Sequence, residues 1–392
     1  MPNRDVFIVG AARTPIGSFQ GALSPVVAPR LGAVAIEGAL SRAGLIGDAV
    51  EETFFGNVLS AAVGQAPARQ AAIYGGVPHS TPATTVSKVC GSGLQAVILG
   101  AKSILLGEAG VVLTGGMESM SNAPYVLPKA RTGYRMGNGE IVDSMILDGL
   151  WDPYGDFHMG NAGETCAHAY GLTREHQDAF ARESYARALE AQKSGRFAEE
   201  IVPVTVAGRK GDTKVELDEE PARVDLGNMP RLRPAFQKDG TVTAANASKI
   251  DDGAAALILA SGEAVERHGL APLARIVSHG GFAQAPEWFT TAPVGAVRRC
   301  VERAGLVPSD IDLFEINEAF SVVTLACARD LGLPMDRINV RGGAVALGHP
   351  IGASGARILV TLLYAMAERG AKRGVATLCI GGGEALAVLV ER

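Results

Sequence analysis

Two cysteines, a histidine and an asparagine stand at positions where their side chains could do chemistry. Cys90 is followed by Gly91 and Gly93, and the apolar residues after them predict the start of a helix. A thiol at a helix N-terminus feels the positive end of the helix dipole, which favours its thiolate. Free cysteine is also among the most buried residue types. This stretch alone therefore leaves two interpretations open, a nucleophile and a small residue of the core.

Three further groups could complete a site around Cys90. His349 lies in a glycine-rich loop before a second amphipathic stretch, and the two loops would form a Cys-His pair if they converged. Cys379 precedes three glycines whose amides could face a developing negative charge, and a second thiol can shuttle a proton. The alternative for Cys379 is a buried strand residue. Asn317 follows an apolar strand, where it could fix a water or a carbonyl group, or merely cap the next helix.

The sequence pattern of the elements that must position these groups occurs twice in the chain. Residues 39–45 are echoed by 300–306, and each copy is followed by acidic residues and a strand that ends near an asparagine. Gly-Ser-Gly at 91–93 is matched by Ala-Ser-Gly at 353–355, and the strands 111–114 and 376–380 both run into glycines and a glutamate. Four echoes in the same order predict a duplicated α/β unit, with sheets buried on both faces.

The segment from 120 to 248 differs from both copies. Prolines and glycines break its beginning into loops, a long polar helix is predicted from about 173 to 193, and alternation over 201–217 predicts a strand pair. We expect this insertion to lie over the site. The predicted division is 1–119 with 249–272, an inserted domain at 120–248, and a C-terminal half at 273–392.

Composition limits the remaining classes of function. The net charge of -5 is spread along the chain, so nucleic acid is not an expected partner. Five cysteines without C-x-x-C spacing argue against a disulfide framework or a structural zinc, and favour a reducing compartment, which we take to be the cytoplasm. The apolar run at 6–9 is too short for a signal peptide, and we expect no membrane-spanning segment.

Four motifs in order resemble the active-site motifs of the thiolases. They are Cys-Gly-Ser-Gly at 90–93, Asn-Glu-Ala-Phe at 317–320, Gly-His-Pro at 348–350 and Cys-Ile-Gly-Gly-Gly at 379–383. The similarity extends from the Arg-Thr-Pro-Ile-Gly stretch at 13–17 to the C-terminus. It implies a five-layered αβαβα fold with an inserted loop domain, in a homotetramer built as a dimer of dimers.

The resemblance also implies a role for each motif. Cys90 would be the nucleophile that carries the acyl group, His349 its activating base, and Cys379 the acid/base at the substrate α-carbon. One oxyanion hole would combine His349 with a water held by Asn317, and a second would use the backbone N–H groups of Cys90 and Gly381. The reaction would be reversible cleavage of a 3-ketoacyl-CoA, with ping-pong kinetics and no permanently bound cofactor or metal.

Coenzyme A and acyl-CoA would be the substrates and the small-molecule partners. The resemblance places Ser248 on the pantetheine arm, His158 and Met159 along its channel, and Phe236 and Arg223 near the nucleotide end. Further substrate contacts are predicted at Ala319 and Phe320.

Three positions depart from the family pattern. Glu384 follows the triple glycine, where many relatives have a small or amide residue, and Lys249 follows Ser248, where relatives often have a small residue. Pro221 stands where potassium-activated short-chain thiolases carry a tyrosine, so we predict no potassium site of that kind.

Two segments bear on the preferred length of the acyl chain. Residues 125–127 and 288–293 resemble the corresponding segments of short-chain thiolases. The segment 288–293 is closer to that of thiolases that tolerate a 2-methyl branch on the substrate. A degradative thiolase for longer chains stays open as the alternative. A decarboxylating ketoacyl synthase normally lacks an acid/base cysteine, so Cys379 argues against it. A non-catalytic acyl-CoA-binding protein would need no activated thiol.

Overall fold

Short apolar runs between glycine-rich turns form the strands, and amphipathic stretches form the helices, as the sequence predicts. The structure is a computed structural model and describes residues 5–392. The helices in this range are α1 Ala28–Ala43, α2 Pro67–Tyr74, α3 Ser92–Leu106, α4 Met159–Tyr170, α5 Arg174–Lys193, α6 Gly262–His268, α7 Ala292–Arg303, α8 Ser321–Leu331, α9 Ala344–Leu347 and α10 Ile351–Arg369. The strands are β1 Val6–Arg13, β2 Gly17–Ser18, β3 Glu52–Gly56, β4 Ala83–Val86, β5 Val111–Ser119, β6 Tyr125–Val126, β7 Val142–Asp143, β8 Trp151–Asp152, β9 Phe157–His158, β10 Val204–Val206, β11 Thr213–Val215, β12 Asp251–Ser261, β13 Ala274–Ala283, β14 Leu313–Ile316, β15 Arg373–Ile380 and β16 Glu384–Glu391.

The strands of the two halves follow the same order and the same directions. The N-terminal half runs β3-β5-β12-β1 and the C-terminal half runs β14-β15-β16-β13. In each half the first two strands are parallel and the others antiparallel. The equivalent strands β1 and β13 pair antiparallel over a short stretch, as a two-fold relation requires, and join the halves into one continuous sheet. The predicted duplication is confirmed.

Helices separate and cover these sheets in five layers. Helices α3 and α10 form the middle layer and pack on strands of both halves. Helices α1 and α2 cover the outer face of the N-terminal half, and α7 and α8 cover that of the C-terminal half. The αβαβα architecture is therefore confirmed.

The segment between β5 and β12 contains short strand pairs and two helices. Helix α5 begins after Thr173, whose side chain accepts a hydrogen bond from the backbone N–H of His176, and it ends at Lys193. Strands β10 and β11 form the predicted hairpin. The boundaries of the inserted domain, at 120 and 248, remain a prediction.

The two middle-layer helices are unusually apolar. Val89–Leu106 and Ile351–Arg369 each have the length and hydropathy of a membrane-spanning helix by composition alone. Within the protein, 61% and 83% of these segments are buried. Their position between two sheets accounts for their apolar composition, because both faces of each helix meet apolar side chains.

Candidate active site

The loops that carry Cys90 and His349 meet where the two middle-layer helices begin. Cys90 lies two residues before α3, and His349 lies two residues before α10. The helices approach closely, since a Cβ atom added to Gly93 would lie only 2.8 Å from the backbone nitrogen of Ala356. The duplication therefore brings the two equivalent loops to one site, as the sequence predicts.

A sharp turn presents Cys90. Val89 has a φ of 45°, which is rare for a β-branched residue. The Ser92 hydroxyl stabilises this turn, because it donates to the carbonyl of Val89 at 2.7 Å and accepts from the N–H of Lys88 at 2.8 Å. Such strain persists only where the surrounding contacts enforce it.

The charge state of Cys90 differs from the expectation. Burial raises the pKa of its thiol to about 11, which outweighs the lowering effect of the backbone N–H groups of Gly381 and of Cys90 itself. The lowering of the pKa that the sequence predicts for a thiol near a helix end is therefore outweighed by burial. To act as a nucleophile, Cys90 would need a base that removes its proton.

His349 lines the same cavity as Cys90 and is the candidate for that base. Its Nδ1 lies 2.5 Å from the Ser354 hydroxyl, which itself donates to the carbonyl of Pro350 at 2.9 Å. Because the hydroxyl proton is used there, Nδ1–H must donate to Ser354, and Nε2 is left as the unprotonated nitrogen. Burial, assisted by the positive charge of Arg357, lowers the pKa of His349 to about 3. The imidazole is neutral and able to accept a proton.

Two buried carboxylates hold these loops. Asp251 accepts from the backbone N–H of His349 at 2.9 Å. Glu118 accepts from the backbone N–H groups of Val58, Leu59 and Gly352, and so joins the N-terminal half to the start of α10. Burial raises the pKa of Glu118 to about 7. Neither residue was among the predicted site residues, although Glu118 is the glutamate that follows the glycines after strand 111–114.

Asn317 and Cys379 lie beneath the surface of the site. The Nδ2 atom of Asn317 is 3.5 Å from Nε2 of His349, and its buried Oδ1 has no hydrogen-bond partner. An unpartnered buried amide oxygen is a place for an ordered water. Cys379 is fully buried near the end of β15. Burial, with the neighbouring sulfur of Cys90, raises its pKa well above the usual value.

A cavity of about 240 Å³ opens beside Cys90, His349 and Gly381. His158 and Phe236 stack on one wall with ring centres 4.8 Å apart. All but one of the predicted substrate contacts line this cavity, namely Ser248, His158, Met159, Phe236, Ala319 and Phe320. Further lining residues, to which the sequence analysis gave no contact, are Val89, Met120, Gly149, Leu150, Ala247, Lys249, Ile250, Phe289 and Ile351.

Most of these further residues carry no chemical signature, so sequence reasoning had no signal for them. Phe289 is different, because it belongs to the segment 288–293 from which a short-chain preference was predicted. Its ring is buried and closes part of the cavity. The other segment named for chain length, 125–127, does not line the cavity, and Tyr125 is exposed.

Arg223 is the predicted contact that lies apart. It does not line the cavity, its side chain is half exposed, and it pairs with Glu219 at 2.8 Å. A role at the nucleotide end of coenzyme A remains a prediction for it.

Glu384, which departs from the family pattern, forms an ion pair with Lys88. The pair connects the loop of Cys90 to the start of β16, directly after the triple glycine. All five cysteines are free thiols, and among residues 5–392 no group of three or more His, Cys, Asp or Glu side chains could hold a metal ion.

Comparisons with known proteins agree with this geometry. The model of the thiolase N-terminal domain matches residues 6–263, and that of the thiolase C-terminal domain matches residues 270–392. Acetyl-CoA acetyltransferase 1 of Arabidopsis thaliana is 53% identical over 99% of this chain and 94% of its own length. Acetyl-CoA acetyltransferase of Cupriavidus necator is 52% identical over 99% of each chain, and that of Schizosaccharomyces pombe is 50% identical over 100% of each. The chain belongs to the thiolase family.

Proposed function

We propose that this chain is an acetyl-CoA C-acetyltransferase that cleaves short 3-ketoacyl-CoA thioesters and performs the reverse condensation. The observation that carries the proposal is the meeting of Cys90, His349 and the amide of Gly381 at one cavity, with Cys379 buried beside Cys90. Relatives named acetyl-CoA acetyltransferase, about half identical over the full length, support the same reaction.

In the first half-reaction, the sulfur of Cys90 attacks the 3-keto carbon as Nε2 of His349 takes the thiol proton. The amides of Cys90 and Gly381 donate to the oxyanion, and removing one such donor typically costs about 3 kcal/mol of transition-state stabilisation. The bond between C2 and C3 then breaks. The electron pair passes to the acetyl-CoA enolate, Cys379 protonates its α-carbon, and acetyl-CoA leaves.

In the second half-reaction, the Cys379 thiolate takes the proton of the incoming coenzyme A thiol. The resulting sulfur attacks the acyl group on Cys90, and the departing Cys90 sulfur recovers its proton from His349. A water held by Oδ1 of Asn317, together with His349, would stabilise the enolate oxygen. All proton transfers are balanced within the three groups, so no metal or redox cofactor enters the proposed steps.

The high pKa of Cys379 fits an acid that protonates a carbanion-like carbon. Its sulfur is buried, and the sulfurs of Cys90 and Cys327 raise its pKa further. A thiol of this kind holds its proton until a strongly basic carbon forms beside it.

The cavity favours a short acyl chain. Its volume of about 240 Å³ is small, and Phe289, Phe320 and Leu150 lie on its walls. The experiment is a comparison of kcat/KM for acetoacetyl-, 2-methylacetoacetyl- and 3-ketohexadecanoyl-CoA. We expect acetoacetyl-CoA to be preferred, with measurable turnover of the branched substrate. Preference for the long chain would favour the degradative alternative.

We also propose a homotetramer in a reducing, cytoplasmic compartment. Apolar side chains are exposed between β6 and β9, including Leu127, Met136, Ile141 and Leu147, and contact between copies would bury them. Sedimentation velocity tests this assembly, and a monomer at micromolar concentration would contradict it. The inserted domain at 120–248 would then cover the substrate and contribute to the contact.

A further inference from the structure

Lys249 lines the cavity, and its ammonium group is bonded to oxygen atoms of the protein. The Nζ atom donates to the hydroxyl of Tyr185 at 2.8 Å, to the carbonyl of Ala247 at 3.1 Å and to the carbonyl of Val345 at 3.3 Å. An ammonium has three donors, and these contacts use all of them. The head of Lys249 is therefore held by oxygen atoms on three sides, directly behind Ser248.

These three acceptors belong to separate parts of the site. Tyr185 is a fully buried residue of α5, in the inserted segment. Val345 lies in α9, four residues before His349, and Ala247 lies directly before Ser248. One ammonium thus joins the segment that leads to the catalytic imidazole, the segment that carries Ser248, and the helix that covers both.

Three carboxyl groups lie around this point and partly offset the cost of burying the ammonium. Burial lowers the pKa of Lys249, and the carboxyl groups of Glu220, Asp251 and Glu318 act in the opposite direction. Asp251 also receives the backbone N–H of His349 at 2.9 Å. Glu318 receives the N–H of Val345 at 3.1 Å. The ammonium therefore lies among the same carboxylates that hold the His349 segment.

We infer that Lys249 is a positioning residue whose ammonium serves as a built-in monovalent cation, clamping the His349 and Ser248 segments in register for the proposed acyl transfer. Backbone carbonyls and a hydroxyl are also the oxygen ligands that replace the hydration shell of potassium. The adjoining turn Glu220–Ala222 packs against α5 and α9, and its central residue, Pro221, brings no side-chain oxygen to this place. Lys249 fills from within the chain a place that would otherwise suit a free cation.

The test exploits chemical rescue. Lys249→Ala removes the ammonium and leaves room for an ion, whereas Lys249→Met removes the charge but keeps the stem in place. For Lys249→Ala we expect kcat/KM for acetoacetyl-CoA to fall about 100-fold, chiefly through kcat, because small misplacements of catalytic groups have effects of this order. Replacing choline chloride by potassium chloride at constant ionic strength should raise kcat/KM of this variant at least about tenfold.

Matched variants separate the clamp from general effects. Lys249→Met should be impaired and insensitive to potassium, because its stem occupies the space for an ion. Tyr185→Phe in the Lys249→Ala background should weaken the rescue, since it removes one oxygen ligand. The wild type and the exposed control Lys193→Ala should respond alike to both salts.

A thermal readout keeps this inference separate from the proposed reaction, on which it rests. Potassium should raise the unfolding midpoint of Lys249→Ala relative to choline, because an ion that binds only the native state stabilises it. If the wild type fails to cleave acetoacetyl-CoA, the proposed function fails while this measurement still tests the clamp.

Two outcomes would overturn the inference. One is full activity of Lys249→Met, which would mean that the charge positions nothing. The other is the lack of any potassium effect on both the activity and the midpoint of Lys249→Ala. If that variant does not accumulate in folded form, its refolding yield in potassium and in choline buffers gives the same comparison.

Discussion

At the scale of single residues, burial sets the resting protonation of the nucleophile and its base. The pKa of Cys90 is raised to about 11, and that of His349 is lowered to about 3. With these values the pair rests as a neutral thiol and a neutral imidazole. Transfer of the proton is then tied to the attack on the substrate, which limits side reactions of a free thiolate.

The alkylation of Cys90 should report this protonation state. Iodoacetamide reacts with the thiolate, so its rate should rise about tenfold for each pH unit from 5 to 10, without the plateau expected near an ordinary cysteine pKa. His349 is already neutral throughout this range, so no inflection should appear near pH 6.5. Stopped-time labelling followed by mass spectrometry measures the rate. A flat profile between pH 5 and 8 would instead indicate a resting thiolate-imidazolium pair.

At the scale of elements, the site depends on how closely the two middle-layer helices approach. Glycines allow this approach near their N-termini. A Cβ on Gly93 would lie 2.8 Å from the backbone nitrogen of Ala356, and one on Gly355 would lie 2.5 Å from the backbone nitrogen of Leu94. The distance between the Cys90 and His349 loops is thus fixed by backbone packing.

Gly93→Ala should therefore lower both stability and activity. Overpacking of this kind typically costs about 1–3 kcal/mol, and here it would also push α3 away from α10. We expect a lower thermal midpoint together with a fall in kcat that exceeds any change in KM. Gly281→Ala is the matched control, since its Cβ would meet Leu386 only at an ordinary 3.6 Å. Equal effects of the two substitutions would contradict the helix-contact explanation.

At the scale of the whole molecule, a buried ion network ties the inserted segment to the duplicated core. Arg13, at the end of β1, pairs with Glu200 at 2.6 Å and with Asp218 at 2.7 Å. Glu200 also accepts from Thr361 of α10 at 3.1 Å and pairs with Arg341 at 3.3 Å. These contacts join a core strand, the middle layer and the insertion through groups with almost no solvent exposure.

Arg13→Met should destabilise the protein strongly, because it leaves two buried carboxylates short of a partner. Breaking a buried pair typically costs about 3–5 kcal/mol. Urea denaturation should show this as a lower midpoint, and limited proteolysis should cut the segment 120–248 sooner. Lys214→Met removes an exposed pair with Glu216, for which a change below about 1 kcal/mol is expected. A midpoint for Arg13→Met as high as that of this control would show that the network adds little.

Repetition and local pattern in the sequence were enough to predict the duplicated α/β architecture and the meeting of the Cys90 and His349 loops. Local features of the sequence predicted α3, α10, β14 and β15. These features are a glycine before each helix, an apolar strand before an asparagine, and the four motifs in order. The family resemblance that these motifs carry implied six contacts that line the cavity, namely His158, Met159, Phe236, Ser248, Ala319 and Phe320.

Tertiary structure decided what depends on burial and on partners distant in sequence. The helix end alone favoured a thiolate at Cys90, but enclosure by remote segments raises its pKa. Three further features depend on contacts that the local sequence does not show. They are the tautomer of His349, the carboxylates that hold its loop, and the oxygen acceptors around the ammonium of Lys249. A sequence shows which groups a chain possesses, whereas the folded packing determines which of them lose water and which partners they find.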